Sequence, residues 1–295
     1  MAETWTVRSL LTWARDWLAA KGVDSPRLDA ELLLAHALEC SRTKLYVDFD
    51  KPLSPEELAR VKPLLKRRAQ REPVAYILGV REFYGRPFRV RAGVFIPRPE
   101  TELLVQAAVD ALGAEPRVLD LCAGSGAVGV SIAVELPGAR VDLVEESAEA
   151  AAAARENAEA LAPGRVRVFE GDLFAALPER TRYDAVVANP PYVAGGERDR
   201  LAPEIVEHEP AAALFAAEGG LAVIRRIVAG AGGWLVPGGF FGVEIDPAIA
   251  ESVRKLCGQA GFRKVRVVKD LAGLDRHVLG SAPEPWNAAE PKEPS

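Results

Sequence analysis

Val118-Leu119-Asp120-Leu121-Cys122-Ala123-Gly124-Ser125-Gly126-Ala127-Val128-Gly129 joins a short apolar run to a helical one through closely spaced glycines. An apolar run of that length, bounded by a glycine turn, reads as a buried strand, and glycines directly after it let a ligand approach the backbone. Strand, glycine-rich turn and helix in that order start an α/β fold whose ligands sit at the carboxyl ends of the strands. Taken alone, the turn fits a dinucleotide, another nucleoside cofactor or a purely structural bend.

Working outward, Val141-Asp142-Leu143-Val144, Val166-Arg167-Val168-Phe169 and Ala185-Val186-Val187-Ala188 repeat the apolar run, separated by helical segments such as 148–160. Alternation of strand and helix makes a parallel sheet. Further strands are predicted over 240–245, 265–268 and 277–280. Residues 1–75 lack strand-like alternation and show helical spacing, with Leu28, Leu32 and His36 on one stripe and Leu33, Leu34 and Leu38 beside it. A small helical bundle is expected there, with Asp24 or Ser25 capping a helix that starts at Pro26 and Ser54 capping another at Pro55. The Gly-, Pro- and aromatic-rich stretch 76–100 reads as a β-hairpin connector, 101–281 as the catalytic domain, and 282–295, with four prolines and three glutamates, as a disordered tail.

With 49% hydrophobic and 27% charged residues, the chain has material for a buried core, so a folded protein is expected throughout most of its length. No apolar run is long enough to span a bilayer, and the first residues lack a secretory signal pattern. The scattered Cys40, Cys122 and Cys257 make neither a disulfide framework nor a zinc site, and His36, His208 and His277 have no metal spacing, so no metal is expected. His36, in a Leu-rich helix, is read as core packing. Residues 1–90 hold sixteen Lys and Arg against twelve Asp and Glu, whereas the remainder holds twenty-one against thirty, a net of -9. An acidic catalytic region disfavours a polyanionic substrate. The basic run Lys66-Arg67-Arg68-Ala69-Gln70-Arg71 is read as a solvated helix face.

Acids mark the predicted strand ends. Asp120 can meet the ammonium of a methionine moiety, which favours a methyl-donor cofactor over a dinucleotide. Glu145, about 20 residues beyond the glycines, can accept from both ribose hydroxyls, and its neighbour Glu146 points away from the crevice. Asp172 can accept from an adenine amino group while Leu173 packs on the ring; a helix cap is the other reading of Asp172. After the fourth strand comes Asn189-Pro190-Pro191-Tyr192. A planar amide or amino nitrogen is a poor nucleophile because its lone pair is delocalised. If the Asn189 side-chain oxygen and the Pro190 carbonyl each accept one N–H, the lone pair is aimed at an electrophilic methyl group, and geometry supplies most of the catalysis. The prolines hold that carbonyl out of any strand ladder, and Tyr192 can stack on the flat face of the substrate. Cys122, with no base nearby in the motif, is read as a small packing residue.

On these residues the chain resembles the HemK/PrmC family, the peptide chain release factor N5-glutamine methyltransferases. The resemblance also rests on Ser25-Pro26-Arg27-Leu28-Asp29-Ala30-Glu31, on Glu72-Pro73-Val74-Ala75-Tyr76 with Gly79-Val80-Arg81-Glu82-Phe83, and on Ile96-Pro97-Arg98-Pro99-Glu100-Thr101-Glu102. It implies a Rossmann-like class I methyltransferase sheet of seven mostly parallel strands behind a helical substrate-docking domain. It further implies S-adenosyl-L-methionine as cofactor, S-adenosyl-L-homocysteine as product, and the glutamine of the Gly-Gly-Gln loop of class 1 release factors as substrate. A cytoplasmic monomer follows as the expectation, with no nucleic-acid substrate and no membrane. Carried over by motif, Cys122, Ala123, Gly124, Ser125, Gly126, Glu145 and Leu173 hold the cofactor, and Asn189 to Tyr192 the substrate amide. Cys122-Ala123 replaces the family's common Gly-Thr, and Glu145 its commoner Asp. Glu209-Pro210 aligns with a further loop near the site, without a role. An N6-adenine or guanine-amino methyltransferase of DNA or RNA is the alternative reading.

Overall fold

The computed structural model describes residues 4–177 and 181–283. The chain divides into two compact units, one made of residues up to Val80 together with Ala202–His208, the other of Arg81–Leu201 and everything from Glu209 onward.

The first unit holds α1 (Val7–Ala20), α2 (Pro26–Ala37), α3 (Arg42–Val47), α4 (Pro55–Ala69) and α5 (Val74–Leu78). Thr6 and Ser54 each close a capping box, with Ser9 and Glu57 respectively returning the bond. Two otherwise orphaned amides are satisfied at each of these helix starts. Ser25 precedes Pro26 as expected but its side chain makes no cap bond. The core face of α2 is Ala30, Leu33, Leu34 and Ala37, the i, i+3, i+4, i+7 set. The Leu28, Leu32, His36 stripe read from the sequence lies off that face: Leu28 is 41% exposed and His36 is exposed, so it is no core histidine. With apolar residues on two adjoining stripes, spacing alone did not choose between them. Residues 76–78, expected within the hairpin connector, complete α5 instead, and Gly79 ends it in the left-handed region at φ 72°.

The second unit opens with the hairpin β1 (Val80–Phe83) and β2 (Arg86–Arg89), then α6 (Glu102–Ala111). There follow β3 (Arg117–Leu121), α7 (Ala127–Glu135), β4 (Arg140–Glu145), α8 (Ala148–Leu161), β5 (Val166–Glu170) and β6 (Tyr183–Ala188). Beyond β7 (Val193–Ala194) the chain gives α9 (Pro203–His208), which belongs to the first unit, and then α10 (Ala211–Leu214), β8 (Phe215–Ala216) and α11 (Ala217–Gly220). It ends with α12 (Ala222–Ala231), β9 (Leu235–Glu244), α13 (Ala250–Gln259), β10 (Arg263–Lys269) and β11 (Asp275–Ser281). Seven strands form one sheet in the order β10-β11-β9-β6-β3-β4-β5. The run from β9 to β5 is parallel, and β11 pairs antiparallel with both β9 and β10. Leu119, Leu121 and Val186 pack into one core and Val118, Ala185 and Val187 into another, one on each side of the sheet. That two-sided burial is why these strands read as unbroken apolar runs.

Two sequence readings are corrected here. Ala282, placed at the head of a disordered tail, is 2% exposed and donates to the Gly239 carbonyl at 2.9 Å. Residues 284–295, the rest of that tail, lie outside the described residues. The basic run of α4 is no free solvated face. Arg68, 4% exposed, donates to Asp29 at 2.7 Å and to Glu204 of α9 at 2.9 Å. Arg71 also binds Glu204, and Arg67 binds Glu72 at 2.7 Å. The chain therefore returns, in residues 202–208, to neutralise a buried guanidinium of the first unit. Removing one member of such a pair strands the other charges without water. Arg68→Leu is expected to cost about 3–5 kcal/mol in urea unfolding; a loss below about 1 kcal/mol would mean the network is hydrated and weak.

Candidate active site

Parallel pairing brings the carboxyl ends of β9, β6, β3, β4 and β5 to one edge. Ligands of open α/β sheets bind at such an edge. The turn after β3 carries left-handed backbone at Cys122 (φ 57°), Gly124 (φ 56°) and Gly126 (φ 79°). A Cβ at Gly126 would sit 3.0 Å from Leu143, and one at Gly129 only 2.3 Å from Leu143 and 3.0 Å from the Asp120 carboxylate. A Cβ at Gly124 would meet nothing nearer than Phe95 at 3.9 Å. Gly126 and Gly129 thus let α7 close onto the sheet, while Gly124 leaves one side of the turn open. The spacing 124, 126, 129 is the G-x-G-x-x-G pattern, and Gly129, quoted with the turn but given no separate part there, is the glycine that seats the helix.

Asp120, 1% exposed, accepts from the Gly129 amide at 2.8 Å. Its carboxylate braces the start of α7. Burial pushes its pKa up from 3.8 to about 7. Glu145 accepts from the Gly124 amide at 2.7 Å and the Ser147 amide at 2.9 Å, and burial raises its pKa as well. Each of its oxygens keeps a further lone pair. Glu146 is exposed. Asn157 of α8, 1% exposed, donates to the carbonyls of Ser125 at 2.9 Å and Arg89 at 3.1 Å, tying the turn to β2. Cys122 occupies a backbone region that costs a non-glycine residue about 1–2 kcal/mol. Burial raises its thiol pKa, so it is a protonated packing group. Asp172 makes no side-chain cap; its carboxylate pairs with Arg226 at 2.6 Å on the surface, while Leu173 is 7% exposed.

At the end of β6, Asn189 donates through Nδ2 to Thr101 Oγ1 at 3.2 Å. Thr101 is 3% exposed and belongs to the Ile96–Glu102 stretch quoted above. With Nδ2 committed, the side-chain oxygen is the atom left to accept. Pro190 is buried. Tyr192 donates to Glu244 Oε1 at 3.0 Å. Its carbonyl passes so close to Gly220, at φ 91°, that a Cβ there would lie 2.1 Å from the oxygen. Glu209, 6% exposed, accepts from the Ile96 amide at 3.2 Å and from Arg98, whose guanidinium lies 4.8 Å from the Phe95 ring centre. Glu209 therefore holds the 95–98 loop. Thr101, Asn157, Glu209 and Glu244 were assigned no role from the sequence, because only the fold brings them to residues remote along the chain.

The sheet order, the glycine turn and an Asn-Pro-Pro-Tyr sequence at the central strand end define a class I methyltransferase. A family model described as the PrmC N-terminal domain matches residues 9–79, and one described as the methyltransferase small domain matches residues 88–231. The release factor glutamine methyltransferase of Geobacter sulfurreducens is 45% identical over 94% of this chain and 97% of its own. That of Burkholderia pseudomallei is 46% identical over 92% and 96%. The chain belongs to the release factor glutamine methyltransferase family. A crystal structure of a methyltransferase from Pyrococcus furiosus, 18% identical, shares the fold with a TM-score of 0.52 over 76% of this chain and 97% of that one.

Because Asp120 keeps its proton to about pH 7 when folded and only to its ordinary 3.8 when unfolded, the folded chain binds the extra proton between those values. Stability from this group is full below the lower value and falls as pH rises through the window. Relative to Asp120→Asn, the wild type should lose thermal stability between pH 4 and 7 and level off above. A difference that stays constant across that range would contradict the buried-proton account.

Proposed function

We propose that this protein transfers a methyl group from S-adenosyl-L-methionine to the N5 amide nitrogen of the glutamine in the Gly-Gly-Gln loop of class 1 release factors. The observation that carries the reading is the Asn189–Thr101 bond at 3.2 Å, which commits the Asn189 amine and leaves its oxygen to accept a substrate N–H. The Pro190 carbonyl, on a residue with no amide hydrogen, accepts the second. With both hydrogens held, the face of the amide that carries the nitrogen lone pair is fixed toward the methyl donor, and conjugation is lost only as the new bond forms. Tyr192 supplies a flat face for the amide.

The site's chemistry fits the cofactor. The backbone of Cys122 to Gly126 would receive its methionine end, with Asp120 bracing α7 behind the turn. Glu145 would accept from the ribose hydroxyls through its remaining lone pairs, and Asp172 with Leu173 would take the adenine. When bound, the sulfonium supplies an electrophilic methyl group. A nitrogen–carbon bond forms as the carbon–sulfur bond breaks, giving S-adenosyl-L-homocysteine. The amide proton, acidified by the transfer, leaves to water from the oxygen that held it. No strong base is needed. The buried carboxylates around the turn suit a cationic cofactor.

The methyltransferases of adenine or guanine in nucleic acid also need a planar nitrogen held still, but residues 91–295 carry a net charge of -9, and Arg67, Arg68 and Arg71 of the basic run are spent on internal pairs. A phosphate backbone has little to bind. No helix among the described residues is long and apolar enough to cross a membrane. We place the reaction in the cytoplasm, where release factors are made and used, and assign it to a monomer because one chain supplies every residue named.

Incubation with labelled S-adenosyl-L-methionine, a release factor and, separately, DNA and RNA should put label on the glutamine, located by mass spectrometry; label confined to nucleic acid would overturn the proposal. Asn189→Ala should lower kcat by roughly 10²–10³-fold while leaving cofactor affinity within a few-fold, because its contribution is made to the developing charge on the amide. Loss of cofactor binding in that variant would contradict the assigned role.

A further inference from the structure

Glu244 is the last residue of β9 and is 1% exposed; its registered partner across β11, His277, is also 1% exposed. A carboxylate among strands of Val243 and Val278 is costly unless satisfied. Oε1 accepts from Tyr192, while Oε2 lies 3.5 Å from His277 Nε2. Among the described residues, neither Oε2 nor either ring nitrogen of His277 has a hydrogen-bond partner. The neighbouring guanidinium of Arg276 is held by Asp270 at 3.1 Å. Folding alone gives no reason to keep an acid there. Its position gives one: Val243 is registered with Ala188, so Glu244 stands level with Asn189 on the adjacent strand.

We propose that Glu244 is a positioning residue for methyl transfer, fixing through the Tyr192 hydroxyl where the ring of that residue sits, and that His277, 3.5 Å behind, limits the movement of the Glu244 carboxylate. A phenol ring anchored only through its Cα–Cβ and Cβ–Cγ bonds turns about both. A bond from the hydroxyl to a group rooted in the sheet stops the swing about Cα–Cβ, and does so before substrate arrives. The place of the ring beside the substrate amide is then set by the backbone of β9. Burial first, and the adjacent Glu244 carboxylate second, push the Tyr192 hydroxyl pKa up, so it stays a donor and takes no proton from the substrate. The inference rests on the proposed amide substrate, whose flat face Tyr192 meets.

A double-mutant cycle tests it, with kcat and KM on a release factor, cofactor affinity and thermal unfolding measured for every variant. Glu244→Leu should lower kcat about tenfold, with cofactor affinity held within about twofold, whereas Glu244→Gln, whose amide oxygen still accepts from the phenol, should stay within about threefold of wild type. Tyr192→Phe should lower kcat as Glu244→Leu does, and adding Glu244→Leu to it should cost nothing more. His277→Leu should reduce turnover in the wild-type background and cost nothing more alongside Tyr192→Phe, which has no hydroxyl for the carboxylate to hold. Losses that multiply in the double variant, or that follow cofactor affinity or unfolding temperature, would overturn the positioning role. Should Glu244→Leu fail to fold, His277→Leu with and without Tyr192→Phe decides by the same criterion. No turnover of a release factor by the wild type would defeat the substrate proposal and this inference together; turnover with independent losses would defeat this inference alone.

Discussion

Parallel pairing of β9, β6, β3, β4 and β5 is the constraint on which the rest of the second unit depends. It obliges every chain end of that set to leave the sheet at one edge, so Glu244, Asn189, Cys122, Glu145 and Asp172 come to that edge together although more than a hundred residues separate Cys122 from Glu244. Each crossover must then pack a helix on the sheet. For α7 the packing is so close that Gly129 is held against Leu143, and its amide is taken up by the buried Asp120. The same contact that seats the helix also aims the turn before it.

The edge is crowded with carboxylates, and their differing surroundings give them different work. Asp120 and Glu145 are raised in pKa by burial yet each is satisfied by backbone amides, so both are fixed parts of the turn. Asp172 is half exposed and paired with Arg226, an arrangement that water weakens and a ligand can displace at little cost. Glu209 and Glu244 serve as anchors for neighbouring loops, one under Ile96 and Arg98, the other under Tyr192. On the proposed function this distribution suits a positively charged methyl donor and a neutral amide, and it repels a phosphate chain.

Left-handed backbone recurs at the same place. Cys122, Leu173 and Glu218 are three of the seven non-glycine residues at positive φ among those described, and Gly220 permits the Tyr192 carbonyl to pass where any side chain would collide. Rigid loops pinned by buried partners are what an orienting mechanism requires, since an amide nitrogen gains reactivity only through the angle at which it is held.

The four Val-rich strands, the glycine turn and the Asn-Pro-Pro-Tyr sequence were legible in the sequence, because two-sided burial leaves unbroken apolar runs and because each motif is contiguous. Elsewhere one-dimensional patterns misled: α2 offered two apolar stripes and the exposed one was read as inward, and the basic run of α4 gave no sign of the acids that would meet it. By itself the sequence determined the class of fold and carried the Asn-Pro-Pro-Tyr motif on which the proposed chemistry rests, both properties of local runs of residues. Only the tertiary structure decided that Thr101 would orient Asn189, that Glu209 would hold the 95–98 loop and that Glu244 would meet Tyr192. Those contacts join residues dozens of positions apart or more, and sheet register and loop closure, which no local pattern records, are what bring them within hydrogen-bonding reach.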